Sequence, residues 1–339
     1  MMTDLPELII LDVGHGNCAI LRDTDGTTII DCPAGSTLMK TLRHLKISEI
    51  SSILISHADQ DHIGGVTNLL SHPDIKVHNV FLNTDTLRRT ENWGDLRSAL
   101  RDARKRMGTK VHVGITTTQT GQLDTGQVEI EVLAPTPELA MSGASGRDLQ
   151  GNQLSSNSMS VVVGLIHDSH RVAILPGDID DVGFRNLLED RDELQADILV
   201  FPHHGGRAGS ADDESFAHLL CSLVKPRLIL FSIDRNHLIN PREGVIRGIR
   251  SAVPTAQIIC TQLSRRCAAQ LPDSDYAHLA NLPAKGRASN SCCGGTISIK
   301  LNGKKTFDVP LFALHREFVG SKVSTPMCLR PLARTQVEP

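Results

Sequence analysis

Short apolar, β-branched runs recur along the first half of the chain, each bounded by Gly, Asp, Pro or Ser: Leu8 to Val13, Cys18 to Leu21, Thr27 to Asp31, Ile53 to Ser56, Val77 to Leu82 and Val128 to Leu133. Runs this short between such breakers predict strands. Elsewhere the apolar period changes to that of a helix. Leu38, Leu42 and Leu45 fall at i, i+4 and i+7 after Ser36, and Leu96, Leu100 and Ala103 share one face of a segment that runs to Arg106. The class is mixed α/β.

The second half echoes the first. Ser160 to Val163, a turn at Asp168-Ser169 and Val172 to Asp178 predict a hairpin ending in an acid, as do Cys18 to Leu21, the turn Asp25-Gly26 and Thr27 to Asp31. Each hairpin is later followed by a strand that ends in histidine, Ile53 to Ser56 before His57 and Ile198 to Phe201 before Pro202, His203 and His204. This pattern predicts two facing sheets that deliver histidines and acids from corresponding strand ends. After Gln262 a polar stretch holding Pro272, Pro283 and Gly286 reads as an insertion or exposed loop. Thr296 to Leu301, the turn Asn302-Gly303 and a strand from about Phe307 to Phe312 predict a hairpin, and a loosely held tail is expected from about Ser321. The expected division is therefore a main domain over 1–262 and a C-terminal extension over 263–339, packed on the same domain.

With 339 residues, 40% hydrophobic and 22% charged, the chain can bury a large core without disulfides. Only 3% aromatic residues leaves little for a base-stacking surface, and a net charge of −3 argues against a generally basic coat for nucleic acid while permitting a local basic groove. The acidic start, Asp4 and Glu7, is unlike a signal peptide. Apolar runs such as Leu228 to Phe231 fall far short of the roughly 20 residues that a membrane-spanning helix needs, so no membrane partner and a cytoplasmic location are expected. The eight cysteines should then be reduced thiols, better suited to metal than to disulfides.

The densest chemistry lies in His57-Ala58-Asp59-Gln60-Asp61-His62, directly after a strand and before Ile63-Gly64-Gly65. Four potential metal ligands in six positions need their charges neutralised. His57, Asp59 and Asp61, spaced by two, project the same way while the backbone stays extended, and His62 at a helix start can turn toward a neighbouring ion.

Ser56 to Gly65 resembles the signature of the metallo-β-lactamase superfamily, and more narrowly the HxDxDH form in the hydrolase domain of the DNA-uptake protein ComEC and its soluble relatives. Leu11-Asp12-Val13-Gly14-His15-Gly16-Asn17 is similar to that group's opening DVGxGD, Ile29-Ile30-Asp31 to its first acidic strand end, and Ser156-Asn157-Ser158 to its NxS segment. Leu175-Pro176-Gly177-Asp178 resembles its bridging aspartate motif, and Pro202 to Gly206 its HHG motif. The likeness spans roughly residues 8 to 262.

The resemblance implies an αββα sandwich with a dinuclear centre. His57 and Asp59 would face one divalent ion, Asp61 and His62 the other, with Asp178 bridging and His203 completing the second site. His204 would be the proton shuttle or substrate-oxygen donor, though either of the adjacent histidines could be the ligand. Asp31 would hydrogen-bond a ligand histidine. Three departures matter. Asp59 stands where the common form has histidine, which hardens that site from zinc toward manganese. Asn157 or Ser158 stands where a third histidine usually caps the first ion, so that ion should be labile. Asn17 replaces an acid.

Other residues carry weaker signals. Cys260, Cys267, Cys292 and Cys293 flank the polar stretch, with His278 inside it; they could form an additional structural zinc site or remain ordinary thiols. Arg97, Arg101, Arg104, Lys105 and Arg106 could be a solvated helix face or a phosphate-tracking rim, and Arg207 follows the histidine pair. His15 and His237 are candidates for substrate contact.

The implied reaction is hydrolysis of a phosphodiester, DNA or RNA included, by a bridging hydroxide between cations about 3.5–4 Å apart, with Asp61, Asp178 and His204 as catalytic residues. A small-molecule phosphoesterase or other ester hydrolase is the alternative. A third reading is a subunit gated by protein partners in a larger bacterial assembly, such as one for phage defence.

Overall fold

The computed structural model describes residues 5–83, 85, 89–191, 193–274, 276–304, 306 and 311–329. Thirteen strands among them form two sheets. The first half supplies β1 (Glu7–Ile10), β2 (Ala19–Arg22), β3 (Thr27–Ile30), β4 (Glu49–Leu54), β5 (Lys76–Leu82), β6 (Lys110–Val113) and β7 (Glu129–Ala134). The second half supplies β8 (Val162–His167), β9 (His170–Leu175), β10 (Ile198–Val200), β11 (Leu228–Phe231), β12 (Gln257–Cys260) and β13 (Ile297–Lys300). The orders are β13-β1-β2-β3-β4-β5-β6 and β12-β11-β10-β9-β8-β7.

The echo seen in the sequence is a topological repeat. In one sheet the antiparallel hairpin β2-β3 is continued by parallel β4, β5 and β6. In the other the hairpin β8-β9 is continued by parallel β10, β11 and β12. Asp31 therefore follows β3 as Asp178 follows β9, and His57 follows β4 as His203 and His204 follow β10.

Strand alternation sorts side chains into layers. Leu8, Ile10, Leu21, Ile30 and Leu54 meet Ile130, Val163, Leu175, Val200 and Leu230 between the sheets. Ile9, Ile20, Ile29 and Ile53 point the other way and pack under helices Thr37–His44, Val66–Ser71 and Glu91–Met107 through Leu38, Leu42, Leu69, Leu96 and Leu100. Leu199, Ile229 and Ile258 do the same under helices Asp181–Glu189, Asp213–Val224 and Glu243–Ala252, through Phe184, Phe216 and Ile249. This is the αββα sandwich that the resemblance implied. None of its described helices is long and apolar enough to cross a membrane.

The C-terminal portion differs from its sequence expectation. β13 pairs antiparallel with β1 and forms an edge of the first sheet. Leu311–Lys322 is a helix where a strand through Phe312 was expected, because His315, Phe318 and Val319 bury at i, i+3 and i+4, with Val323 one turn beyond. Residues 307–310 of the expected hairpin lie outside the described residues. Val323 and Met327 are buried in the expected tail, against the outer face of the second sheet.

The polar stretch is tied down rather than exposed. Buried Arg235 donates to the carbonyls of Leu263, Ala268 and Ala269. Buried Asp12 accepts from Gln262 Nε2 and Gly286 N, each at 2.8 Å, and its own amide donates to Thr296 Oγ1.

Candidate metal centre

The strand ends converge at one edge of the sandwich. Asp59 stays extended and begins the short helix Gln60–Ile63, which carries Asp61 and His62. Close approach makes this possible: a side chain at Gly65 would meet the Pro33 carbonyl at 2.3 Å, and one at Gly16 would meet the Asp61 carbonyl at 2.3 Å.

Four ligand atoms of Asp61, His62, Asp178 and His204 lie within 4.8 Å of one another. His62 Nε2 is 3.9 Å from Asp61 Oδ2 and 3.6 Å from Asp178 Oδ2, while His204 Nε2 is 3.1 and 3.6 Å from the same two oxygens. A tetrahedral ion with bonds of about 2.0–2.1 Å needs donors separated by about 3.3–3.4 Å. These four separations bracket that value.

The ring orientations are enforced from behind. His62 Nδ1 donates to Asp31 Oδ2 at 2.7 Å, which leaves Nε2 to face the cage. Asp31 also accepts from Ser56 N and Ser56 Oγ. His204 Nδ1 donates to the Ser232 carbonyl at 3.0 Å. Asn17 Nδ2 donates to Asp178 Oδ1, so the asparagine that replaces an acid of the motif holds the Asp178 carboxylate in place.

A second group adjoins the first. His57 Nε2 is 3.7 Å from Asp59 Oδ2, and His57 Nδ1 lies against Ser56 Oγ and Ser160 Oγ at 3.1 and 3.2 Å. The Nε2 atoms of His57, His62 and His203 are all buried without a hydrogen-bond partner among the described residues. Orphaned buried imidazole nitrogens beside carboxylates fit a site built for cations.

Charge agrees with that fit. Burial pushes Asp61 and Asp178 upward, but the imidazoles of His204 and His62 outweigh it and hold both carboxyls below the usual range. Burial disfavours charge on His62 and His204 as well, yet Asp31 and Asp178 on one and Asp178 and Asp61 on the other raise both. Burial lowers His203, aided by His204 and His57. The carboxylates thus make the site attractive to positive charge.

The remaining candidates fall at different depths. His15 Nε2 is 3.2 Å from Asp61 Oδ2, and its ring lies 4.9 Å from that of His204 and 4.0 Å from that of the exposed His237. The three rings form one wall of the mouth. Arg207 is exposed just beyond the histidine pair, and Arg97, Arg101, Arg104, Lys105 and Arg106 line the solvent face of Glu91–Met107. Ser158 faces Asp180 rather than the ligands, at 2.8 Å, and Asp180 caps Asp181–Glu189. Asn157 Oδ1 is buried and unpartnered, three residues before Ser160. Ser56 and Ser160 were not foreseen, since nothing in their local sequence marks a serine as a histidine's support.

The four cysteines do not gather as a zinc site. Among the described residues the Asp61, His62, Asp178 and His204 group alone brings three or more ligand atoms within 4.8 Å. Cys292 turns to Asp12, 3.8 Å away, while Cys293 contacts His315 and Cys260 and Cys267 sit in the apolar layer outside the second sheet. Burial pushes the Cys260 and Cys293 thiols well up and Cys292 to about 12. Hydrogen bonds from Arg235 and to Asp12 hold the loop where zinc was expected to.

His203 and His204 both adopt left-handed backbone, with φ of 52° and 54°, and Gly205 follows at 76°. Each such non-glycine residue costs roughly 1–2 kcal/mol, a strain typical of functional turns. A side chain at Gly205 would meet the Phe231 ring and Pro241 at 2.7 Å. Gly205→Ala is accordingly expected to lower stability by about 1–3 kcal/mol; an unchanged Tm would contradict the tight seat of this turn.

Residues 11–210 match the pattern of the family described as the metallo-beta-lactamase superfamily. No curated protein matches the chain. Solved structures with a similar fold include the metallo-beta-lactamase fold protein YhfI from Bacillus subtilis, 12% identical over 75% of this chain and 96% of that one, TM-score 0.48. Igni18, a metallo hydrolase from the archaeon Ignicoccus hospitalis, is 14% identical over 87% and 100%, TM-score 0.43. The short form of human tRNase Z is 14% identical over 68% and 93%, TM-score 0.39.

Proposed function

This chain belongs to the metallo-β-lactamase superfamily, and on that premise we propose that it hydrolyses phosphodiesters, with DNA or RNA as substrate, at the histidine and aspartate centre. The observation that carries the reading is the cage of Asp61, His62, Asp178 and His204 with donor separations of 3.1–3.9 Å, set beside His57 and Asp59. Two divalent cations held there, zinc or manganese, would acidify water and stabilise negative charge on phosphoryl oxygens.

The protein's own residues do the rest. Asp178 reaches both histidine groups, and Asn17 Nδ2 and the His203 amide keep it oriented through Oδ1. Asp61 Oδ2, within 3.1–3.2 Å of His204 and His15, lies between the buried cage and the mouth. His15 and His237 can offer ring N–H groups to an anionic oxygen arriving there. A phosphodiester suits this site because its hard, charged oxygens match both the cations and the wall of imidazoles. Asp59 favours manganese at the first site for the same reason. It is also the position that supports the narrower likeness to ComEC-type hydrolases, and the free state of all eight cysteines supports a reducing, cytoplasmic setting.

The test is hydrolysis of bis-p-nitrophenyl phosphate by the purified protein with Mn²⁺ or Zn²⁺, followed by single-stranded DNA, duplex DNA and RNA. Metal-dependent release of nitrophenolate and shortening of a polynucleotide are expected. Turnover of the small diester with every polynucleotide left intact would replace the nuclease reading with a small-molecule phosphoesterase. Two bound metals with no turnover of any diester would overturn the function.

A further inference from the structure

The polar stretch after Gln262 supplies no residue to the cage, yet its backbone is fastened to the loop that carries His15. Lys285 N donates to the Asp12 carbonyl at 2.9 Å, and Gly286 N donates to the Asp12 carboxylate at 2.8 Å. We propose that this fastening sets Lys285 at the mouth to bind a second phosphate of the substrate, next along the strand from the one that is cut. Such a role rests on the phosphodiester reading of the centre and narrows it. The preferred substrate is then a polynucleotide, recognised through more than one of its phosphates.

The Lys285 side chain lies across Gly14, immediately before His15. A side chain at Gly14 would meet Lys285 Cδ at 2.7 Å and Asp234 Oδ2 at 2.8 Å, so the pair packs against the bare backbone of that glycine. Lys285 Nζ donates to Asp234 Oδ2 at 2.9 Å. Asp234 in turn accepts from Asn236 N at 2.8 Å through Oδ1 and from His237 N at 3.3 Å through its carbonyl, which shapes the turn that carries His237. The His237 ring is 4.0 Å from that of His15, whose Nε2 is 3.2 Å from Asp61 Oδ2. Lys285, His237, His15 and Asp61 thus run from the surface to the cage.

Chemistry separates Lys285 from a mere strut. An ammonium has three donors, and Asp234 Oδ2 engages one of them. The Lys285 side chain is 54% exposed and that of Asp234 13%, so the cation, rather than its partner, faces an incoming strand. His15 and His237 offer ring donors whose charge depends on pH, whereas lysine keeps its charge at neutral pH. Lys285 meets Gly14 and Asp234, one layer outside the contact of His15 with Asp61, which suits it to the phosphate beside the one held at the cage. With few aromatic residues to stack bases, charge is the means by which this protein can hold a strand.

Two substrates that differ in phosphate count provide the test: a dinucleoside monophosphate, which has one phosphate, and a longer single strand of the same nucleotides. Wild type should favour the strand in kcat/KM. Lys285→Met should cut that preference about 10-fold, through KM rather than kcat, as expected for one exposed charge-assisted contact. It should also flatten the dependence of log KM for the strand on log salt by about 0.7, the share of one phosphate on a single strand. Lys285→Arg should restore both quantities, and Lys285→Met combined with Asp234→Asn should stay as low as Lys285→Met, since removing the acid does not replace the cation. An equal loss on both substrates in Lys285→Met would make the lysine a structural tie and overturn the assignment. Recovery in the double variant would overturn it too, because Lys285 would then only mask Asp234. In either case hydrolysis of the dinucleoside by wild type leaves the phosphodiester reading standing. A wild type that cuts the dinucleoside without preferring the strand overturns the second phosphate contact alone, and one that cuts neither overturns the phosphodiester reading with it.

Discussion

Asp61→Ala is expected to lower kcat/KM for a phosphodiester by about 1,000-fold or more, to the level of the protein without its second ion. The carboxylate does three things at once. It supplies an oxygen to the cage 3.1 Å from His204 Nε2, it balances the charge of His62 at 3.9 Å, and it meets His15 at 3.2 Å on the path to solvent. An ion in such a site contributes several kcal/mol to the transition state, and every 1.36 kcal/mol or so is a factor of ten in rate. His62→Ala should behave alike. Its Nε2 is fully buried, and alanine leaves Asp31 and Asp178 facing an empty space. Initial rates on bis-p-nitrophenyl phosphate, with circular dichroism to confirm the fold, provide the check. Full activity in either variant would remove the two-metal mechanism.

The second large effect lies one layer out. Asp31→Asn should weaken metal binding by about 10–100-fold, the usual consequence of losing a carboxylate behind a ligand histidine. It should also destabilise the metal-free protein by about 3–5 kcal/mol, because one partner of a buried pair is left uncompensated. Asp31 is 1% exposed and His62 is wholly buried, so water screens neither. The substitution is a fair probe because Asp31 has φ of 60°, a conformation that asparagine tolerates. Shape is kept and charge is removed. Metal titration with a chelator and urea unfolding of the metal-free protein measure the two effects; wild-type values in both would mean that Asp31 does not tune His62.

Most of the sandwich was legible because its repeat is local. A hairpin followed by parallel strands needs only short apolar runs, turn residues and helical periods, all of which appear within about 100 positions in each half. The metal residues were legible for a related reason: His57 to His62 concentrates four donors on one turn. The pairing of β1 with β13 was not legible, since Leu8 and Ile299 are joined by register across almost the whole chain. Leu311–Lys322 was misread because Phe312 extends an apolar run, and only burial of His315, Phe318 and Val319 in the folded protein reveals its helical face. Cysteine spacing suggested a zinc staple, but spacing does not say which way a thiol points, and Cys292 and Cys293, adjacent in sequence, face opposite neighbours. Two left-handed residues in succession have no sequence signal either, so the turn that presents His204 to Asp61 and Asp178 could not be read from the sequence.

Asp12 has a consequence for when the site comes into being. Its bonds to Gln262, Gly286 and Thr296 span 250, 274 and 284 positions, and they anchor the loop that carries His15 and Asn17. Contacts so distant in sequence carry the highest loop-closure cost and form slowly. During synthesis the histidines and acids from residue 31 to residue 204 are all made while Asp12 still lacks these partners. The mouth of the site therefore cannot take its final shape until the polar stretch has been translated.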